Sequence, residues 1–214
     1  MRRVGVLLAG VCFPVVPALG AIAGYSEDFN AGLGGWGGGA MLELIASGGV
    51  GGAGDGYLLV SNTNPGQLAT RNTSAPYTGD LIADGITGVS FWLRDLGGDD
   101  TLRLHLAVGN PGNFWVTEVE FSPSADAWTR YEVDLTDPGA WVRQQGSGTF
   151  EDALRQTDRM QFRNNPQPGD GAPGDGVADF ALDRITLIPS PGGIGVMLAL
   201  GGLGAARRRR VVTV

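Results

Sequence analysis

The side chains best suited to chemistry in this sequence are aromatic and polar residues on alternating segments. In GVSFWLRDL, Trp92 points away from Phe91, and in TLRLHLAVG, Arg103 and His105 point away from the leucines. Flat aromatic rings stack on sugars, and polar groups bind the sugar hydroxyls. If the two segments are neighbouring strands, Trp92, Arg103 and His105 form a shallow sugar-binding surface, with Trp36 as a second exposed candidate. The alternative is a structural role, with Trp92 covered by a second layer or a helix.

The residue types argue against catalysis. The chain has one histidine and one cysteine, Cys12, which lies in an N-terminal apolar stretch. A Ser-His-Asp site would have to use His105, and no nucleophile-elbow sequence is present. Carboxylates about 5–9.5 Å apart can cleave glycosides, but such pairs arise by chance in a chain this rich in aspartate. We therefore expect no catalytic residues and a protein that is not an enzyme.

The charge balance excludes nucleic acid as a partner. The net charge is −7, and the sequence contains no lysine. Without Arg2, Arg3 and the four arginines at 207–210, 9 arginines stand against 22 carboxylates, which gives −13. Such a surface repels phosphate groups and is compatible with calcium.

Alternation of apolar and polar residues dominates the middle of the chain and predicts strands. The predicted strands lie at residues 88–96, 101–109, 114–121, 129–135, 159–163, 41–45, 57–61, 67–71 and 181–188. In RMQFR, the side chains of Arg159, Gln161 and Arg163 are expected to point outward. One helix is predicted at residues 150–156, with Thr149 as its N-cap in a variant capping box. About nine short strands and one helix predict an all-β, two-sheet antiparallel sandwich.

The N-terminus predicts an export signal. Arg2 and Arg3 precede an apolar stretch at 4–19, and Ala21-Ile22-Ala23 places small residues two apart. We expect a signal peptide at residues 1–23, forming a signal helix cleaved after Ala23, with a retained membrane anchor as the alternative. Cleavage would remove Cys12, which suits an exported domain stabilised by its core instead of by disulfides.

The C-terminus combines an apolar run with a cluster of arginines. The run Ile194–Ala206 carries no charged side chain, and four arginines follow it at 207–210. A helix starting at Gly192 would be about 22 Å long, shorter than the ~30 Å hydrocarbon core of a bilayer. Snorkelling and local thinning offset part of this difference. Four adjacent cations suit an anionic cytoplasmic membrane face, so we expect a C-terminal membrane helix, with a buried core helix as the alternative.

Together, the two ends resemble PEP-CTERM proteins, whose tails combine a Pro-x-Pro motif, a short apolar helix and an arginine cluster. Here Pro189-Ser190-Pro191 occupies the motif position, with serine in place of the usual glutamate. The resemblance implies processing by the export machinery and by an exosortase-like membrane protease. It also implies a place in the cell envelope, at the surface or outside the cell, with transient anchoring by the C-terminal helix. The implied sorting-signal residues are Pro189, Pro191, Arg207, Arg208, Arg209 and Arg210. The expected division is a signal peptide at 1–23, a β-sandwich domain at 24–189 and a sorting signal at 190–214.

Five segments resemble the successive strands of galactose-binding-like jelly rolls found among carbohydrate-binding modules. These segments are EDFNAGLGGWGGG, YLLVSNTN, GVSFWLRD, WTRYEVDL and DFALDRITLIP. The resemblance implies a jelly-roll sandwich with a role in sugar binding or a structural role. In many such jelly rolls a structural calcium lies between the opening and closing strands. Glu27 and Asp28 match the opening position and Asp183 the closing one, and the loop PGDGAPGDGVAD adds Asp170, Asp175 and Asp179. The alternative is that these carboxylates are solvated turn residues.

Two functions remain for this sequence. The first is an exported bacterial surface or matrix protein, sorted through its tail, non-catalytic and associated with exopolysaccharide. The second is a carbohydrate-binding module with a defined sugar site, while a polysaccharide-active enzyme is a more distant alternative.

Overall fold

The structure is a computed structural model that describes residues 20–98, 102–125, 127–169 and 171–191. Most of the predicted signal peptide and the predicted membrane helix with its arginine cluster lie outside these residues. Within the described part of the chain, no helix is long and apolar enough to cross a membrane.

Fourteen strands and one α-helix make up about half of the described chain. The strands are β1 (Ser26–Glu27), β2 (Trp36–Gly37), β3 (Met41–Ile45), β4 (Tyr57–Ser61), β5 (Gly66–Gln67), β6 (Ala69–Asn72), β7 (Ile86–Gly98), β8 (Leu104–Asn110), β9 (Asn113–Thr117), β10 (Thr129–Asp134), β11 (Trp141–Gly146), β12 (Arg159–Asn164), β13 (Asp175–Gly176) and β14 (Ala178–Pro189). The helix α1 spans Phe150–Arg155, and a short 3₁₀ helix spans Pro138–Ala140.

The strands form two antiparallel sheets. Sheet I has the order β10-β7-β14-β4-β3, and β1 also pairs with β14. Sheet II has the order β11-β9-β8-β12-β6-β2, and β5 pairs separately with β13. This arrangement confirms the predicted all-β, two-sheet sandwich, with consecutive strands often placed in different sheets.

The core lies between the two sheets, because each long strand turns one apolar face inward. From β7, Val89, Phe91 and Leu93 are fully buried, as is Phe162 on β12. The rings of Phe91 and Phe162 meet edge to face with centroids 4.7 Å apart, which joins sheet I to sheet II. Each such side chain contributes about 1.5–3 kcal/mol through burial.

The helix closes one end of the sandwich. Thr149 Oγ1 accepts a hydrogen bond from the backbone N–H of Asp152, and the Asp152 carboxylate accepts one from the N–H of Thr149. These two bonds confirm the predicted capping box. Phe150 then stacks on Trp141 at 4.7 Å, so the helix is held by the core and not by its own short length.

The segment FWVTEVEF differs from its predicted strand. β9 ends at Thr117, and the N–H of Glu118 donates to the carbonyl of Ala140. Val119, which the alternation placed with Trp115 and Phe121, is therefore 72% exposed. The strand β11 was not predicted, because WVRQQG has no clear alternation.

Candidate functional site

The outer face of sheet II carries a small apolar cluster under long polar side chains. Alternation turns Ala107 on β8, Phe114 and Val116 on β9, and Val142 on β11 away from the main core, where they pack together. On β12 the same alternation turns Met160 and Phe162 inward and leaves the other residues of RMQFR on the outer face, as predicted. The pairing of β12 with β6 then places Arg71 opposite Gln161, and its pairing with β8 places Ala107 on the other side of Gln161.

These side chains form a cleft of about 210 Å³ on the outer face of sheet II. Phe114 lies at its apolar floor, and the polar lining consists of Gln67, Arg71, Gln144, Gln145, Arg159, Gln161 and Arg163. Residues 171–173 form one wall, which Gln144 holds by donating from Nε2 to the carbonyl of Gly171 at 2.6 Å. The Nε2 of Gln145 donates to the carbonyl of Pro111 at 2.7 Å. This arrangement of an apolar floor and amide walls suits a polar ligand that has an apolar face.

The arginines of the cleft differ in burial. Arg159 is half-buried, and its guanidinium lies over the Phe114 ring at 4.2 Å from the centroid, a cation–π contact. Burial lowers the pKa of Arg159, which the charge of Asp158 opposes and the cation of Arg71 reinforces. Arg71 is exposed at the cleft edge, and Arg163 is buried in its base. The cleft is therefore cationic in an acidic protein.

A larger hollow of about 450 Å³ lies beside the helix and has a different character. It is lined mainly by apolar residues such as Ile82, Leu135, Phe150 and Leu154, with Thr136 and Glu151 at its edge. Recognition of a polar ligand needs several convergent polar groups. The smaller cleft on sheet II provides them, and we therefore take it as the candidate site.

The structure does not bring together the residues that the sequence grouped into one sugar-binding surface. Trp92 lies on β7 in sheet I, whereas His105 lies on β8 in sheet II. Trp92 is half-buried on the outer face of sheet I, opposite Arg130 and Asp183 in register. The grouping fails because the chain crosses to the other sheet between these two consecutive strands.

Arg103 and His105 are engaged locally. Arg103 precedes β8, and its guanidinium lies 3.8 Å from the carboxylate of Glu120 at the surface. His105 is only 1% exposed, its Nδ1 lies 2.8 Å from the carbonyl oxygen of Thr117, and burial lowers its pKa. The buried imidazole is therefore held in its neutral form near the cleft.

Trp36, expected to be exposed, is a core residue with 3% exposure. Because β2 pairs with β6, its ring points inward and packs on Tyr77 and Phe162, with centroids 5.3 and 5.5 Å away. The glycines around Trp36 gave no sign of this contact, which depends on residues far away in sequence.

The carboxylates expected to bind calcium are spread over three places. Glu27 is buried and accepts hydrogen bonds from the Tyr25 hydroxyl at 2.9 Å and the N–H of Phe29 at 3.1 Å. Asp28 is exposed and accepts from the N–H of Asn30. Asp179 lies four residues before Asp183 on β14, about 13 Å away along an extended strand. In the described part of the chain, no group of three or more His, Cys, Asp or Glu is placed to hold a metal ion.

Asp183 is a second buried carboxylate that accepts hydrogen bonds. A bulge at Arg184, which has a φ of 48°, turns the buried Asp183 under the glycine loop (residues 46–56) on the outer face of sheet I. Its Oδ2 accepts from the N–H of Val50 at 2.8 Å and its Oδ1 from the N–H of Arg184 at 2.7 Å. Burial raises the pKa of Asp183 to about 6, and the charge of Asp55 adds to this increase against the two N–H donors.

Oxygen atoms converge on the glycine loop around Asp183. A Cβ on Gly49 would lie 2.5 Å from the carbonyl oxygen of Gly56, 3.0 Å from that of Asp55 and 2.9 Å from Asp183 Oδ2. Only glycine fits this position, and the oxygens around it are of the type that calcium prefers. Of the carboxylates named for calcium in the sequence, Asp183 is the one at this place, and Asp170 lies outside the described residues.

The described chain includes only part of the predicted terminal signals. Pro189 ends β14, and the N–H of Ser190 donates to the carbonyl of Gly85 at 2.7 Å, while Pro191 follows. Arg207, Arg208, Arg209 and Arg210 lie outside the described residues. At the other end, Ala21 packs on the core, and the N–H of Ile22 donates to the carbonyl of Pro76.

The sequence missed Arg71, Phe114, Gln144 and Gln145 as residues of one cleft. Alternation showed which side chains of RMQFR point outward, but not that β6 and β8 flank that strand. Without this register, an outward arginine resembles any solvated surface residue.

Comparison with solved structures finds a similar fold in carbohydrate-binding modules and in an agarase. The chain is similar to a family 11 carbohydrate-binding module from Clostridium thermocellum in complex with a β-1,3-1,4-mixed-linked tetrasaccharide. The TM-score is 0.51 at 21% identity, and the match covers 79% of this chain and 98% of that module. The chain is also similar to an exo-β-agarase, with a TM-score of 0.54 at 12% identity. This match covers 79% of this chain and 25% of the agarase. A third similar structure is the C-terminal family 22 carbohydrate-binding module of Clostridium thermocellum Xyn10B. The TM-score is 0.48 at 14% identity, and the match covers 78% of this chain and 94% of that module.

The likeness to the family 11 module, together with the two antiparallel sheets, confirms the predicted jelly-roll sandwich. No protein-family profile matches the sequence, and no curated protein matches it.

Proposed function

We propose that the sandwich domain binds carbohydrate without catalysis and that its ligand lies in the cleft on sheet II. The observation that carries this proposal is the cleft itself, in which the apolar floor at Phe114 is surrounded by amide and guanidinium groups. A sugar presents a rim of hydroxyls, which suits the amide and guanidinium groups, while Phe114 lies buried beneath Arg159 and supports its guanidinium. The fold shared with a module that holds a mixed-linked glucan tetrasaccharide gives further support.

A catalytic step has little support from the residues near the cleft. His105, the single histidine, is buried, and Nδ1 of its neutral ring is engaged at the carbonyl of Thr117. The lining side chains of the described cleft include no carboxylate that could act as an acid or a nucleophile. The domain is thus proposed to hold polysaccharide, which agrees with a role among exopolysaccharides at the cell surface.

Affinity electrophoresis against a panel of neutral and acidic polysaccharides tests this proposal. Gln161→Ala shortens a lining side chain without changing the charge, and Trp92→Ala removes the half-buried ring on the opposite sheet. We expect Gln161→Ala to weaken binding about tenfold through a lost hydrogen bond with a polar ligand, and Trp92→Ala to leave binding unchanged. Thermal melting checks that both variants are folded.

The two alternatives give different results. Binding lost only in Trp92→Ala would move the site to the outer face of sheet I, as the sequence suggested. Absence of binding to every polysaccharide would overturn the proposal and favour a purely structural matrix protein.

We further propose that the chain is exported and sorted at the cell surface through its two ends. At the N-terminus, two arginines, an apolar stretch and small residues follow one another in the order of a signal peptide. At the C-terminus, a Pro-x-Pro motif, an apolar run and an arginine cluster follow one another in the order of a sorting signal. Cell fractionation with intact-mass measurement tests this proposal. We expect an exported protein that has lost residues 1–23 and has been cleaved near Pro189-Ser190-Pro191, whereas a full-length protein in the cytosol would contradict it.

Finally, we propose a structural calcium ion at the glycine loop, with Asp183 as its buried carboxylate ligand. Asp55 and the carbonyl groups near Gly49 would supply further oxygen atoms. When bound, calcium would tie the loop to β14 and favour the charged form of Asp183. Thermal melting with calcium and with EDTA tests this proposal.

A further inference from the structure

The charge of the cleft differs from that of the rest of the protein. The chain has a net charge of −7, yet the charged side chains that line the described cleft are all arginines. Most of the other described arginines lie within ion-pair distance of a carboxylate. For example, Arg130 lies 2.8 Å from Glu132, and Arg184 lies 3.1 Å from Asp55. A local concentration of cations on an acidic protein indicates a site for an anionic ligand.

Arg159 has unused hydrogen-bonding capacity within this cleft. Its Nε atom is buried, and among the residues that the structure describes it has no hydrogen-bond partner. Neither Arg159 nor Arg71 lies within ion-pair distance of a described carboxylate, although the two cations are close enough to affect each other. A buried polar atom without a partner costs about 1–3 kcal/mol, which distinguishes Arg159 from the arginines paired with carboxylates.

The shape of the site favours an anionic sugar over a small free anion. Phe114 is buried beneath the guanidinium of Arg159 and supports it, and Gln161 places an amide next to Arg71 in register. Guanidinium groups bind carboxylate and sulfate in a planar, bidentate way, and amides bind hydroxyls. An anionic sugar residue presents both complementary features at once, an anionic group and a rim of hydroxyls.

We propose that the cleft takes an anionic polysaccharide, whose carboxylate or sulfate groups lie between Arg71 and Arg159. This inference rests on the proposed carbohydrate-binding function and narrows it to one class of ligand. The glutamines of the cleft bind the hydroxyl groups of the sugar, while the arginines select for its charge.

The test measures binding of the full chain to polygalacturonate, a sulfated carrageenan and a neutral mixed-linkage β-glucan. The variants are Arg71→Gln and Arg159→Gln, with Arg130→Gln as a control that makes the same charge change on sheet I. We expect polygalacturonate or carrageenan to bind at least about tenfold more tightly than the β-glucan. Arg71→Gln and Arg159→Gln should each weaken that binding about tenfold, and Arg130→Gln less than about twofold.

The outcomes separate this inference from the function on which it rests. Preference for polygalacturonate identifies carboxylate as the anionic group, and preference for carrageenan identifies sulfate. Tighter binding of the neutral glucan, or equal losses in Arg71→Gln and Arg130→Gln, would overturn the anionic ligand but keep the carbohydrate-binding function. Failure to bind any of the three polymers would overturn both. Since Arg71 is exposed, its variant should stay folded even if Arg159→Gln does not.

Discussion

The two outer faces of the sandwich are built from similar alternating strands but are covered in different ways. On sheet I the glycine loop lies over Asp183, and backbone N–H groups bind both oxygen atoms of its carboxylate. On sheet II the guanidinium groups of Arg71 and Arg159 border an open cleft and pair with no described carboxylate. The first face uses its carboxylate for internal structure, whereas the second leaves two guanidinium groups without a described carboxylate partner.

The difference depends on the size of the covering side chains. Gly49 allows the loop backbone to approach the Asp183 carboxylate, since a Cβ at that position would lie 2.9 Å from Oδ2. On sheet II the residues over Phe114 are long arginines and glutamines, which cover the apolar floor without closing it. We therefore expect substitutions on sheet I to change stability and substitutions in the cleft to change binding.

The largest expected effect is that of Asp183→Ala. This variant leaves the N–H groups of Val50 and Arg184 without their acceptor in a buried place. We expect the free energy of unfolding to fall by about 3 kcal/mol, as measured by urea denaturation. Asp28→Ala is the control, because that exposed carboxylate accepts only a local bond from Asn30, and it should cost less than about 1 kcal/mol. Equal losses in the two variants would show that the glycine loop does not depend on Asp183.

Calcium should act on the same face and not on the cleft. At pH 7.5, calcium at about 100 times its dissociation constant should stabilise the fold by about 2.7 kcal/mol, seen as a higher melting temperature. The increase should be smaller at pH 5, because protons compete with the cation for Asp183, and should be absent in Asp183→Asn. A melting temperature that does not respond to calcium at pH 7.5 would remove the metal proposal while leaving the cleft unaffected.

The raised pKa of Asp183 predicts a pH dependence of stability in the metal-free protein. Between about pH 4 and pH 6 the folded state keeps a proton on Asp183 that the unfolded state, with a pKa near 3.9, has lost. The free energy of unfolding should therefore fall by about 2 kcal/mol as the pH rises from about 4 to 7. Urea denaturation with EDTA at several pH values measures this slope, with Asp183→Asn as the variant in which it should flatten. A slope that is unchanged in Asp183→Asn would assign the effect to other carboxylates.

The sequence predicted much of the sandwich because local patterns carry that information. The alternation in GVSFWLRDL and RMQFR assigned the inward side chains of β7 and β12, and the pair Thr149 and Asp152 predicted the helix start. Each of these signals lies within a few residues of chain, so no tertiary contact is needed to see it.

The candidate site could not be predicted in the same way. Its residues come from β6, β9, β11 and β12, whose order within sheet II depends on long-range pairing. The same limit explains why Trp92 and His105 were grouped although they lie on opposite sheets, and why Trp36 was placed at the surface. Local alternation assigns a side chain to a face, but only the strand order determines which faces meet.

The smallest expected change in stability is that of Arg71→Gln, and it separates the two faces most clearly. Arg71 is exposed and forms no ion pair with a described carboxylate, so its loss should change the free energy of unfolding by less than about 0.5 kcal/mol. The same variant should weaken binding of an anionic polysaccharide about tenfold, because a guanidinium contact with the ligand is lost. Urea denaturation and affinity electrophoresis on one protein preparation give both quantities. A stability loss as large as that of Asp183→Ala would show that Arg71 helps to hold sheet II together, and the division between a structural face and a binding face would then fail.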